Sequence, residues 1–187
     1  VLFRSEDIDA IAVAMGPGSF TGLRIGAATA KGLGLALNKP IIPVPTVDGL
    51  AYQLFGVEKI ICPMMDARRK QVYTGFYRFH KGEMQVIKKQ CAQSVEDTLN
   101  QLKEYGEDVI FLGDGVPVYK EEIEESMKDH AIFAPVCANR QRAAAVGALA
   151  KVYYENGISV SADEFVPEYL RKSQAERERE ERLNGKR

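Results

Sequence analysis

At 187 residues the chain is long enough for one large domain or two small ones with a real core. Apolar residues make up 45% and charged residues 27%, a globular composition that excludes a disordered chain. With 25 Lys and Arg against 26 Asp and Glu, the net charge of −1 provides no broad basic field. Only a local basic patch is left as a route to nucleic acid.

The first five residues, Val1-Leu2-Phe3-Arg4-Ser5, hold too short an apolar run for a signal peptide. With no initiator Met, they read as a truncation or an artificial start. Ala10 to Met15 is a short apolar run closed by Gly and Pro, the pattern of a strand buried on both faces. A helix is predicted from Thr21 to about Leu37, stopped by Asn38 and Pro40. Ile41 to Val44 reads as a peripheral strand because of Pro43. Thr46 is expected to cap a helix reaching about Phe55, with Asp48 in its first turn.

From Glu58 the pattern changes. Ile60 to Met65 is a buried strand, and Gln71 to Phe79 with Met84 to Gln90 read as a hairpin turning at His80 to Glu83. Ser94 to Asp97 resembles a capping box that opens a helix ending before Gly106. A strand at Asp108 to Leu112, a turn at Gly113 to Gly115 and a helix at Val116 to Met127 follow. Ala131 to Phe133 is a short strand, and Asn139 to Glu155 an Ala-rich helix.

The second half therefore runs β-β-β-α-β-α-β-α. The first half runs only β-α-β-α, matching the last four elements of the second. That order predicts a duplicated two-lobed fold whose first lobe lacks its opening elements. The tail from Ser173 is almost purely charged, with Glu178 and Arg182 placed to support a helix; it reads as a solvated tail.

Of the candidate functional segments, Gly16-Pro17-Gly18-Ser19-Phe20-Thr21-Gly22 joins a strand to a helix N-terminus. Such a loop can cradle an anion on free N–H groups, or can simply make a turn and cap. It is neither a Walker A loop nor a nucleophile elbow, since the residues after the glycines do not fit either pattern. In the following helix Gly22, Gly26, Ala30 and Gly34 recur every four residues, beside Ala28, Gly32 and Ala36. Interior glycines cost a helix about 1 kcal/mol each, so close packing must offset them. That packing is against either the chain's own sheet or a second polypeptide. Asp66-Ala67-Arg68-Arg69 follows a buried strand and offers a carboxylate and guanidiniums for magnesium or phosphate, or merely surface ion pairs. Pro167 to Arg171 reads as a docked segment anchored by Tyr169 and Leu170. Cys62, Cys91 and Cys137 form no CxxC pair and read as buried, reduced thiols of a cytosolic protein. His80 and His130 have no ligand-spaced neighbours, so zinc and a Ser-His-Asp triad lack support.

Taken in order, Gly16 to Gly26, Thr46 to Ala51, Asp66 to Arg69 and Pro167 to Arg171 resemble the TsaB (YeaZ) family, over roughly Asp7 to Lys172. The resemblance implies an α/β, actin-like ATPase (ribonuclease H-like) fold with an incomplete first lobe. Residues 1–57 would be the remainder of that lobe, 58–172 the second lobe and 173–187 the tail. It further implies a cytoplasmic, non-catalytic subunit in the synthesis of N6-threonylcarbamoyladenosine (t6A) in tRNA, with no cofactor of its own. In that scheme TsaC makes threonylcarbamoyl-adenylate and TsaD transfers the group to tRNA. TsaB pairs with TsaD, is joined by the ATPase TsaE, also forms homodimers, and is expected to meet tRNA only through the complex. The implied partner face is Gly22, Arg24, Gly26, Ala30 and Gly34. A nucleotide, if bound, would engage Gly16, Gly18, Ser19, Thr21 and Asp66, which makes an actin-like phosphotransferase or ATPase the alternative. A peptidase reading finds no nucleophile and base to support it. Against the family pattern, the opening strand, hairpin and first helix are missing, so unpaired sheet edges and a loosely folded, poorly soluble chain are expected.

Overall fold

The structure is a computed structural model that describes residues 4–171. The charged tail expected from Ser173 lies outside the described residues. Two sheets are built in it. β1 (Ile11–Gly16) and β2 (Ile41–Pro45) pair in parallel, with Ile11 opposite Ile41, and are connected by α1 (Phe20–Leu37). α2 (Thr46–Ala51) follows β2 with no loop between. β3 (Ile60–Asp66), β4 (Gln71–His80) and β5 (Glu83–Ser94) then form an antiparallel meander. α3 (Val95–Tyr105), β6 (Val109–Leu112), α4 (Val116–Met127), β7 (Ala131–Phe133) and α5 (Ala143–Glu155) complete the described elements. The larger sheet runs β5-β4-β3-β6-β7, with β6 parallel to both β3 and β7. This order and its mixed sheet fit the actin-like, ribonuclease H-like α/β class.

The packing follows from the pattern of apolar residues. Leu99 and Leu102 of α3, with Val116, Ile123 and Met127 of α4, close one face of the larger sheet over Cys62, Phe76 and Phe111. Val47, Leu50 and Ala51 of α2 cover its other face at Ile61, Tyr77 and Phe79. Ile41, Ile42 and Val44 are fully enclosed and Ile41 bridges Val160 on the side away from β1, so β2 is not the peripheral strand that Pro43 suggests. Each such side chain contributes about 1.5–3 kcal/mol of burial. Leu149 and Ala150 of α5 pack on Ile42 and Val44, so α5 and α2 both lie against the smaller sheet. β1 is half-buried rather than enclosed on both faces, because it is an edge strand and Ala12 is exposed.

Helix ends explain where the elements stop. Ser19 caps α1, its Oγ accepting from Gly22 N at 3.4 Å, and Asn38 ends it in the left-handed region at φ 51°. Ser94 Oγ accepts from Asp97 N at 2.9 Å, and Gly106 closes α3 at φ 63°. Thr46 does not cap α2: β2 runs straight into the helix, Pro45 takes the cap position, and Thr46 Oγ1 is buried without a partner among the described residues. α2 also ends early, at Ala51, in a 3-10 turn over Tyr52–Leu54. α5 starts at Ala143 rather than Asn139, because Arg142 is extended and Asn139 Oδ1 is drawn to Gly113 N at 3.2 Å.

After α5 the chain becomes a strap. Val160 and Ile41 exchange backbone hydrogen bonds of 2.9 Å, and Ala162 and Phe165 pack on Ala27 and Ala30 of α1. Lys31 Nζ donates to the carbonyls of Asp163 and Phe165 at 3.2 and 3.0 Å. The buried anchor is Phe165 and not Tyr169 or Leu170; Tyr169 only leans on the exposed Phe20 ring at 5.3 Å. Among the described residues no helix is long and apolar enough to cross a membrane.

Candidate functional site

Four segments meet at one cleft of about 440 Å³: the β1–α1 loop, the β3–β4 turn, the β6–α4 turn and the end of the strap. Gly16 makes the meeting tight. Its φ is +124°, and a Cβ there would stand 2.2 Å from the Glu168 carbonyl oxygen. Glu168 N donates to Met15 O at 2.7 Å. Gln90 then rivets the junction: Nε2 donates to Gly16 O at 3.1 Å and to Glu168 Oε2 at 2.6 Å, while Oε1 accepts from Val47 N at 3.4 Å. Arg171 donates to the Ala67 carbonyl and ties the strap to the larger sheet.

Of the residues expected to hold an anion or nucleotide, Gly18, Ser19 and Asp66 line this cleft. Gly16 is buried behind it, and Thr21 is exposed on α1 outside the lining. Asp66 Oδ1 is already engaged by Arg68 N at 2.8 Å and by the Tyr119 hydroxyl at 3.0 Å. Burial, with that carboxylate beside it, pushes the Tyr119 phenol up to about 12. Asp114 and Glu168 add two more carboxylates to the lining, opposed by Arg68 and Arg171. Among the described residues no three His, Cys, Asp or Glu side chains converge to hold a metal ion.

The β3–β4 turn places three consecutive non-glycine residues at positive φ. Arg68, Arg69 and Lys70 have φ of +62°, +56° and +56°. The left-handed region costs an L-residue about 1–2 kcal/mol, and glycine or asparagine usually fills it. The signal was present in the sequence as a hairpin turn with neither Gly nor Asn.

α1 shows why a four-residue spacing misleads. At 3.6 residues per turn, each four-residue step advances about 40° around the helix. Gly22, Gly26, Ala30 and Gly34 therefore wind from solvent into the core instead of sharing one face. Ala30 and Gly34 are buried by the chain itself, and a Cβ on Gly34 would lie 3.2 Å from that of Ala162. This corrects their placement on a partner face. Gly26 has open space where its Cβ would be, and Arg24 lies over the Phe20 ring at 4.1 Å. The solvent side is the neighbouring stripe, Ala28, Gly32 and Ala36, flanked by Ile25 at 63% and Leu35 at 60% exposure.

One buried network escaped the sequence. Asp48 accepts from the hydroxyls of Tyr77 at 2.6 Å and Tyr153 at 3.2 Å, linking α2 to β4 and α5. Burial raises its carboxyl above the ordinary range despite both bonds. Read as a first-turn helix charge, Asp48 gave no sign of this, since its partners lie far along the chain. Burial likewise pushes the Cys62 thiol up to about 12, leaving it unreactive. Cys91 is only half-buried and Cys137 exposed, so the expected burial of all three thiols holds for Cys62 alone. His130 pairs with Asp108 at 3.2 Å on the surface.

The family model described as "TsaD: tRNA N6-adenosine threonylcarbamoyltransferase" matches residues 3–179. The tRNA threonylcarbamoyladenosine biosynthesis protein TsaB of Bacillus subtilis is 33% identical over 171 residues, covering 91% of this chain and 73% of that protein. TsaB of Escherichia coli is 30% identical over 181 residues, covering 90% and 73%. A crystal structure from Pseudomonas aeruginosa, described as an uncharacterized protein with similarity to peptidase YEAZ, superposes with a TM-score of 0.74 at 30% identity. It covers 90% of this chain, which covers 76% of it.

Proposed function

Since the chain belongs to the TsaB family, we propose that it serves t6A synthesis on tRNA in the cytoplasm as a non-catalytic subunit pairing with TsaD, with TsaE joining the pair. The observation that carries this reading is the solvent side of α1. Ile25, Leu33 and Leu35 are exposed there, around Gly32, which has nothing of its own chain within 4 Å of a Cβ. An apolar face with a smooth centre invites a second backbone at close range. A second copy of the chain could use the same face, as a homodimer.

Gly32→Leu and Gly26→Leu test this directly. Neither position has a neighbour to clash with, and replacing a helix glycine adds up to about 1 kcal/mol of stability. The expected result is an unchanged or higher melting temperature, with TsaD capture in a pull-down weakened at least tenfold. Capture equal to that of the unsubstituted chain would sink the pairing.

The alternative, an actin-like phosphotransferase or ATPase, draws support from Gly18, Ser19 and Asp66 lining one cleft. Against it stand the prior engagement of Asp66 and the carboxylates of Asp114 and Glu168, which repel phosphate. ATP turnover by the chain, abolished by Asp66→Ala, would promote it.

A further inference from the structure

We propose that the β3–β4 turn is a phosphate-gripping element for RNA, with Arg68 and Arg69 as its prongs. The identity of the polyanion rests on the tRNA-modifying role proposed above; the element itself is argued from geometry. Arg68, Arg69 and Lys70 occupy a backbone region that suits glycine, yet all carry long cationic side chains, and all are exposed. A turn needed only to join two strands gains nothing from that arrangement. Backbone strain that persists at the surface points to a use for the side chains it presents.

The backbone of the turn is held from several sides. Ala67 N donates to Gln71 O at 2.9 Å, Gln71 N to Arg68 O at 3.1 Å, and Val95 N to Lys70 O at 3.0 Å. Arg68 N is fixed to Asp66 Oδ1, and Arg171 holds the Ala67 carbonyl. The prongs thus rise from a rigid base, which lowers the ordering cost of binding. Neither Arg68 nor Arg69 has a side-chain ion pair among the described residues, while Lys70 meets Glu122 only at 3.3 Å on the surface. Guanidinium forks match phosphate oxygens in pairs.

The choice of RNA over a free nucleotide follows from the cleft behind the turn. A small polyphosphate in that cleft would meet three carboxylates, Asp66, Asp114 and Glu168, against the two guanidiniums of Arg68 and Arg171. An extended strand can lie across the exposed tip and avoid them. With a net charge of −1, the chain has only such a local patch to offer.

Binding of fluorescein-labelled tRNA transcript to the full chain, read by anisotropy between about 50 and 200 mM salt, tests the proposal. Arg68→Gly with Arg69→Gly removes both charges and suits the left-handed backbone, so melting should be unchanged or improved. The expected result is about a tenfold loss of affinity and a log–log salt slope shallower by about 1.5. Lys120→Ala with Lys151→Ala, which removes the same charge from α4 and α5, should change neither. Arg68→Lys with Arg69→Lys should keep the slope. Equal binding by the glycine variant, an equal loss in the lysine control, no binding by the unsubstituted chain at about 50 mM salt, or loss of ATP binding in place of RNA would each overturn it. TsaD capture is a separate measurement: its failure counts against the pairing and leaves this result standing.

Discussion

The β1–α1 and β6–α4 turns occupy matching places in the two β-α-β-α runs of elements and solve the same problem with different partners. Gly16 and Gly113 have φ of +124° and +113°, and a Cβ on either would stand 2.2 Å from a carbonyl oxygen. For Gly113 that oxygen belongs to Met64, on the strand that pairs in parallel with β6. For Gly16 it belongs to Glu168, on the strap. One turn is backed by the middle of a five-stranded sheet, the other by a segment held through Met15 O, Gln90 and Arg171. Local geometry is shared; mechanical backing is not.

The largest expected effect follows from the stiffer side. Gly113→Ala strains φ and drives a methyl group into the backbone of β3, which cannot retreat without breaking its pairing with β4 and β6. A loss of more than about 4 kcal/mol in urea unfolding is expected, at the extreme of single-site effects. Gly16→Ala meets the same distance but a softer neighbour. The strap can withdraw, so the global cost should be nearer about 2 kcal/mol. Amide exchange of residues 166–171 should then speed up while that of β3 and β6 does not. Equal costs at the two glycines, or exchange spreading into β3, would break the comparison.

Much of this arrangement was legible in the sequence. Apolar runs closed by glycine turns gave the β-α-β-α and β-β-β-α-β-α-β-α orders, because the period of the apolar residues and the residues that break it are local properties. The family resemblance tied the four motifs together, and Gly18, Ser19 and Asp66 do line one cleft. What could not be read depends on long-range partners or on angle. Gln90 and Asp48 look ordinary until residues far along the chain surround them. The glycine stripe of α1 misleads because a four-residue spacing drifts around the helix, carrying Ala30 and Gly34 inward. Phe165 does not stand out from Tyr169 in the sequence, since nothing local distinguishes a buried aromatic ring from an exposed one.

The smallest effect concerns the seam between the halves. α2 and α5 are the equivalent last helices of the two orders, and Asp48 joins them through Tyr153 while holding Tyr77 of β4. Burial raises the Asp48 carboxyl, so the folded chain favours its protonated form. The sign follows: stability from this group is complete below the ordinary aspartate value of about 3.9 and is lost as pH rises through the raised folded value. Asp48→Asn keeps an oxygen for the Tyr77 hydroxyl without the buried charge. It should melt within about 1 kcal/mol of the unsubstituted chain and lose that part of the pH dependence. Asp48→Ala, by contrast, strands two hydroxyls and should cost about 1–3 kcal/mol. If Asp48→Asn instead destabilises as much as Asp48→Ala, and removes a loss of stability that the unsubstituted chain shows as pH falls, the carboxylate charge itself holds the seam. α2, β4 and α5 would then be joined by electrostatics and not by hydrogen bonds alone.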